Sequence, residues 1–395
     1  MSPKIKNKIK RKTYKNREKR SRKETKGKKT KTKNKISKLI YKGGQGCIFE
    51  RIPCRNESIY NYNKKTLSKI SFQKKSAFNE FEINQLIRKI PSHKSWSILW
   101  TKQCETPHYS HLKEISEIDK CIDLANEKRK HQGKALVPIT DRFEMLVGQY
   151  GGAPSSDVFE SILTKDIYKN KVKFVTSVQK LFSYMKSLFD GLSGLQKHKI
   201  CHHDINERNI VLKNNSFMLI DFGIALLFSD KERLEKRLKN TFLSDKIYES
   251  YPYDYILYYG SVADKYKKYL EQEFKDAEKD IYRKNHKDLE EIHQCMSLPN
   301  LNAHVLGLMK DIIDGSYQGN PTQLIKNLDI YSLGILLPSA IHKYGLLNDI
   351  SLETIVSLCH HIDLRDHFQL FRDMSSIHSE DRLTAQEALK RYKKI

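Results

Sequence analysis

The 395-residue sequence predicts an α+β protein in which a smaller β-rich part precedes a larger helical one. Three stretches carry that reading. Residues 38–50 (KLIYKGGQGCIFE) place apolar side chains on both sides of a glycine cluster, which predicts strand, turn and strand. Residues 143–150 (FEMLVGQY) form a second short strand-like run that stops at Gly151-Gly152. Residues 174–198 repeat apolar side chains from Val175 to Leu195 at spacings of three and four, which predicts one long amphipathic helix.

The other elements follow in order. Residues 76–90 carry Phe78, Phe81, Ile83, Leu86, Ile87 and Ile90 at helical spacing, with Pro91 as the stop. Two short apolar runs, 210–212 and 217–220, bracket Asn214-Asn215 as a hairpin does. Residues 255–325 are rich in Tyr, Lys and Asp and read as a largely helical insertion. Apolar helical character resumes over 329–343, 351–360 and 384–393.

Charge and cysteine usage narrow the function classes. The formal net charge is +25, but residues 1–36 hold 18 Lys/Arg against only Glu18 and Glu24. With so little apolar surface to bury, this segment is expected to be a disordered basic tail. It serves as a solubilising arm or as an electrostatic tether for nucleic acid or an anionic surface, and Thr13, Ser21, Thr25, Thr30 and Thr32 are candidate modification sites within it. Seven scattered cysteines without a C-x-x-C pair argue against a disulfide framework and for an intracellular, reducing compartment. The basic N-terminus lacks a following apolar stretch, and no run approaches 18 apolar residues, so neither a secretory signal nor a membrane span is expected.

The densest chemistry lies in residues 202–223, HHDINERNIVLKNNSFMLIDFG. A carboxylate, Asp204, precedes an amide, Asn209, by five residues, and a hairpin separates the amide from Asp221. Hard oxygen donors on either side of a hairpin suit Mg²⁺, and a further carboxylate suits a base that orients a hydroxyl. His202 and His203 could suggest zinc, but adjacent histidines do not readily share one metal and no third ligand is spaced for it. His202 is read as a core histidine instead.

With these residues in view, the sequence from residue 38 to the C-terminus resembles the eukaryotic-type protein kinase superfamily. The wording of several segments (S-K-I after a short hairpin, Y-G-G, I-Y-S-L-G, the insertion after Pro252) is most similar to serine/threonine kinases of large cytoplasmic DNA viruses. The resemblance implies a two-lobed fold, with an N-lobe at 38–150 and a C-lobe at 151–395 that carries the 255–325 insertion. It implies ATP and Mg²⁺ (or Mn²⁺) as cofactors and protein serine/threonine hydroxyls as acceptors. Asp204 matches the base, while Asn209 and Asp221 match the metal ligands. Tyr41, Gly43, Gly44, Gln45, Gly46 and Ile48 match the phosphate-covering loop and its flanks. Lys69 matches the lysine on the α- and β-phosphates and Glu80 its helix partner, with Lys64, Lys65 and Glu82 as fallback candidates. Leu146, Gln149 and Tyr150-Gly151-Gly152 match the adenine hinge, with Leu146 or Val147 as gatekeeper. Asp329 in D-I-Y-S-L-G and Arg382, paired with Asp254, match two structural positions that small-molecule kinases lack. If the chain is viral, the resemblance places it in host cytoplasm or virion.

Several positions depart from the family pattern. Tyr41 stands where the loop's first glycine is usual, and His203 replaces the arginine before the base. Asn206 replaces a lysine that touches the γ-phosphate, and Arg208 sits where tyrosine kinases carry an arginine. Lys69 and Glu80 are only eleven residues apart. These departures keep a pseudokinase scaffold using the basic tail, and a tyrosine or dual-specificity kinase, open as alternatives.

Overall fold

The structure, a computed structural model, describes residues 37–395 except 43–45, 60, 61, 64, 132, 134, 245–247, 263, 278–285, 299 and 318. The basic tail, and with it the tether and the five candidate modification sites, lies outside the described residues.

The N-terminal part is a five-stranded antiparallel sheet of order β1-β2-β3-β5-β4. Its strands are β1 (Leu39–Lys42), β2 (Gly46–Glu50), β3 (Thr66–Ser71), β4 (Lys102–Glu105) and β5 (Glu144–Gln149). Alternation along these strands sorts side chains between two faces. One face carries Cys47, Phe49, Ile70, Met145 and Val147, which join a core with Leu112, Ile118 and Ile122. The last three come from α2 (Tyr109–Ile115) and α3 (Ile118–His131), two helices that no motif or periodicity had indicated. The opposite face receives α1 (Lys74–Arg88), which buries Ala77, Glu80, Ile83, Asn84 and Ile87. Phe78, counted among the apolar positions of this helix, is 51% exposed: it lies off the buried stripe.

Four cysteines depart from expectation. Cys47 on β2 is disulfide-bonded to Cys121 on α3, and Cys54 to Cys104 on β4. These partners are 74 and 50 residues apart, so spacing could not reveal them. The cysteine pattern therefore no longer argues for a reducing compartment. Cys201, Cys295 and Cys359 are free and buried.

The larger core is mainly helical. The expected single helix over 174–198 is two, α5 (Lys171–Tyr184) and α6 (Lys186–Lys197). At Met185 the amide turns to the Phe182 carbonyl three residues back, which tightens the chain and separates them. Before them lies α4 (Ser155–Ile162), preceded by the two-residue strand β6 (Ala153–Pro154). β6 joins the hairpin β8 (Ile210–Lys213) and β9 (Ser216–Leu219), while β7 (Ile200–Cys201) pairs with β10 (Leu226–Leu227). Asn214 and Asn215 turn the hairpin with φ of 51° and 58°, the left-handed pair that a two-residue type I′ turn requires. The segment between α1 and β4 stitches onto the hairpin: Leu219 exchanges backbone hydrogen bonds with Trp96 and Ile98. Trp96 is fully buried against Gly191 of α6.

The helical remainder comprises α7 (Lys231–Phe242), α8 (Tyr253–Leu257), α9 (Asp264–Ala277), α10 (His286–Cys295), α11 (Leu301–Asp314), α12 (Pro321–Leu347), α13 (Leu352–Cys359), α14 (Arg365–Met374) and α15 (Ala385–Tyr392). Among the described residues α12 alone is long and apolar enough to cross a membrane, but 89% of its most apolar window is buried inside the protein, as in a core helix. It extends beyond the expected 329–343 because Asn320 caps it and Pro321 sits in its first turn, where a missing amide proton costs nothing.

Arg382, ahead of α15, donates from Nη2 to Asp254 Oδ1 at 2.6 Å and to the Ile377 carbonyl at 2.6 Å, in a site where both side chains are essentially sealed. Removing one partner leaves the other charge buried and uncompensated. Arg382→Ala should therefore lower unfolding free energy by roughly 3–5 kcal/mol in a denaturant titration.

Candidate active site

The centre of the site is the Lys69 ammonium. Its position on β3, opposite Ile48 and Leu146 in register, puts its side chain on the sheet face that α1 covers. There Nζ donates to Glu80 Oε2 of α1 at 2.8 Å and to Asp221 Oδ1, just past β9, at 2.8 Å. Burial works against the charge, but the two carboxylates outweigh it and hold the ammonium above its usual range. Burial dominates at Glu80 and raises its carboxyl despite Lys69, whereas at Asp221 Lys69 overcomes burial and the carboxyl is lowered. Gly223, which donates to Asp221 Oδ1, lies so close to both acids that a Cβ there would stand 3.1 Å from each carboxylate. Lys65, exposed just ahead of β3, makes no carboxylate pair of this kind among the described residues, and Lys64 lies outside them.

Asp204 is fixed by amides. Asn209 donates from Nδ2 to Asp204 Oδ2 at 2.8 Å and to its carbonyl at 2.9 Å, while Asn206 donates to Oδ1 at 2.7 Å. Burial raises the Asp204 carboxyl above its usual range, offset in part by His202 and by hydrogen bonds from Asn209 and Asn206. The hairpin brings Asn209 beside Asp221, because the Ile220 amide donates to the Asn209 carbonyl at 3.0 Å. With its amide nitrogen committed to Asp204, Asn209 keeps Oδ1 as an acceptor, and Asp221 keeps Oδ2. Two hard oxygens that accept from no donor among the described residues, both at the wall of one cavity, fit the ligand preference of Mg²⁺. Among the described residues no cluster of three or more His, Cys, Asp or Glu is placed to hold a metal ion. The cavity has a volume of about 700 Å³, and Tyr41, Asp204, Asn206, Asn209, Asp221 and Lys343 are among its walls.

The loop carrying Asp204 is anchored from below. Asp329 on α12 accepts from the amides of His202 at 2.6 Å and His203 at 2.9 Å. His202 accepts from the Asp204 amide at Nδ1, lies within 3.1 Å of the Ile220 carbonyl at Nε2, and rests on Phe222. His203, with φ of 70°, is sealed between Tyr251 and Tyr255, whose hydroxyls lie 3.1 Å and 2.6 Å from its two ring nitrogens. Burial, with Arg237 nearby, lowers its pKa to about 3, so the ring is neutral.

The remaining expected residues distribute as follows. Tyr41 is 52% exposed at the cavity, and Gly46 and Ile48 lie on β2. Gly43, Gly44 and Gln45 lie outside the described residues. Leu146 shares the face of Lys69, whereas Val147 faces the other way, into the core behind the sheet; neither is among the walls of the 700 Å³ cavity. Gln149 ends β5, exposed, and the Tyr150 amide donates to the Lys65 carbonyl at 2.6 Å. Gly152 has φ of 124°, and a Cβ there would strike the Leu212 carbonyl oxygen at 2.1 Å, so only glycine fits. Glu82 takes no part in the cluster. Sequence reasoning missed Trp100 and Asn84, which hold Glu80 from behind; the spacing Glu80, Asn84, Arg88 on one helix face was the available signal.

Comparison with known proteins agrees with this geometry. Residues 156–254, a quarter of the chain, match the protein kinase domain. Over 54 residues the chain is 43% identical to a probable serine/threonine-protein kinase cdc7 of Dictyostelium discoideum, covering 13% of this chain and 5% of that protein. Over 77 residues it is 35% identical to the dual specificity protein kinase zakA of the same organism, covering 19% and 10%. The chain thus spans only a small part of the length of these relatives. The likenesses support the eukaryotic protein kinase superfamily. The family match contains Asp204, Asn209 and Asp221 but stops short of Lys69, Glu80 and Arg382, which are joined to it by contacts in space.

His203 stands where a cation is usual, in a pocket that already has Arg233 and Arg237 near it. His203→Arg should lower stability by roughly 3–5 kcal/mol, because the new charge finds only tyrosine hydroxyls. The check is a thermal or denaturant melt against wild type.

Proposed function

We propose that the chain is an ATP-dependent protein kinase that transfers the γ-phosphoryl group of Mg-ATP to serine/threonine hydroxyls of proteins. The observation that carries the reading is the double ion pair of Lys69 with Glu80 and Asp221, beside an Asp204 held by Asn209. Phosphoryl transfer asks a protein mainly to position charge, and these groups do so from four separate segments. In the proposed arrangement the β-rich part and the helical part form two lobes with nucleotide between them.

Lys69 would hold the α- and β-phosphates, and Asp221 and Asn209 would hold Mg²⁺ (or Mn²⁺) through the oxygens they leave free of described protein donors. The metal supplies charge neutralisation at the phosphates. Asp204 accepts the proton of the attacking hydroxyl; Asn209 and Asn206 aim its carboxylate. Asn206 cannot supply the positive charge of the lysine it replaces, which leaves Lys69 as the cation this chain itself brings to the phosphates. The buried, neutral His203 holds Tyr251 and Tyr255 without a phosphate partner, which supports activity that does not await phosphorylation of the neighbouring segment. Serine/threonine acceptors are favoured by likeness to the probable serine/threonine-protein kinase, dual specificity by likeness to the other relative. Kinship with kinases of large cytoplasmic DNA viruses rests on the wording of the motifs alone.

Asp204→Asn, Asp221→Ala and Lys69→Met should each cut transfer of radiolabelled γ-phosphate to casein or to the chain itself by at least about a thousandfold while the chain stays folded, although Lys69→Met, which leaves the sealed Glu80 without its cation, should also melt lower. An Asp221→Ala protein with wild-type rate would remove the metal assignment, and an inert wild type that still binds a partner through residues 1–36 would favour the scaffold reading.

The raised Asp204 carboxyl sets a pH dependence. Activity requires its ionised form, so kcat should fall as pH drops through a midpoint above the usual aspartate range. Asn206→Ala removes a hydrogen bond that favours the charged form and should move that acid limb further up. An unchanged or lowered midpoint in the pH–kcat profile would contradict the role given to Asn206.

A further inference from the structure

Behind the Lys69–Glu80 pair lies a residue that no motif singles out. Trp100, between Trp96 and β4, is gripped by three successive turns of α1. Its indole Nε1–H donates to Glu80 Oε1 at 2.7 Å, its backbone amide donates to Asn84 Oδ1 at 2.8 Å, and its carbonyl accepts from Arg88 Nη2 at 2.6 Å. Asn84 in turn donates to the Glu80 carbonyl at 2.6 Å. Residues 80, 84 and 88 stand one above another on a helix, so a single side chain and its peptide groups pin a whole face of α1.

The indole has room because of Gly148. This residue sits two places after Leu146 on β5, on the same face of the sheet as Lys69, and a Cβ there would stand 2.9 Å from Trp100 Cε3. Any side chain at 148 displaces the ring that reaches Glu80. Glu80 itself is 2% exposed, so each of its two oxygens depends on one donor: Lys69 on Oε2 and Trp100 on Oε1. A buried carboxylate that loses a donor turns or takes a proton, and in either case its hold on Lys69 weakens.

We propose that Trp100 is a positioning residue, acting through Glu80, which latches α1 over the nucleotide site in a space kept open by Gly148. The latch assembles the Lys69–Glu80 pair within the chain itself. Its consequence for catalysis rests on the phosphotransferase reading; its consequence for the helix does not.

The test is a double-mutant cycle on the full chain. Trp100→Phe keeps the ring packing and deletes the Nε1–H donor. It should lower kcat about tenfold with little change in melting temperature, while the same change in a Glu80→Gln background should cost less than about twofold. Gly148→Val, which keeps the tryptophan but displaces its ring from Glu80, should reproduce the loss. Hydrogen exchange of the α1 amides, read without any activity, should accelerate in both Trp100→Phe and Gly148→Val. Losses that multiply independently in the cycle, or α1 exchange equal to wild type in both variants, would overturn the latch. An inert wild type whose α1 protection still falls in both variants supports the latch and removes the kinase reading alone.

Discussion

A single ammonium joins three parts of this chain that are far apart in sequence. Lys69 is contributed by the central region of the sheet, Glu80 by the helix laid across it, and Asp221 by the turn that leaves the β8–β9 hairpin. Of the two acids at 2.8 Å on this cation, Glu80 is sealed from solvent, and a buried carboxylate left unpaired is costly. The sheet register, the α1 face and the hairpin turn are all needed to satisfy that one constraint.

Around this pair, polar groups are held by polar groups rather than by solvent. Asp329 fixes the backbone of His202 and His203, the two histidines fix Asp204 and the tyrosine pair, and Asn209 ties Asp204 to the strand that leads to Asp221. The arrangement couples geometry to charge state: burial raises Asp204 and Glu80, while Lys69 lowers Asp221. Groups with separated proton affinities in one cavity can take different roles in one reaction.

The parts of the site that were legible in sequence were those whose chemistry is local. Asp204, Asn209 and Asp221 sit within twenty residues, and the Asn214-Asn215 turn between two apolar runs announces the hairpin that joins them. The β-rich region was legible in its glycine hairpin and in β5, and α1 in its spacing. What sequence did not reveal depends on contacts at long range. The disulfide partners, the Trp100 contacts with α1 and the placement of Val147 behind the sheet all follow from register and packing, which no spacing encodes. The break at Met185 was missed for the opposite reason: apolar periodicity runs across it unbroken while the backbone tightens by one hydrogen bond.

A crystal structure of the chain with Mg²⁺ and a non-hydrolysable ATP analogue tests the central claim most directly. The account predicts the metal on Asp221 Oδ2 and Asn209 Oδ1, with Lys69 Nζ on the phosphates and still paired to Glu80. Nucleotide bound elsewhere, or bound here with the metal off both oxygens, would contradict it.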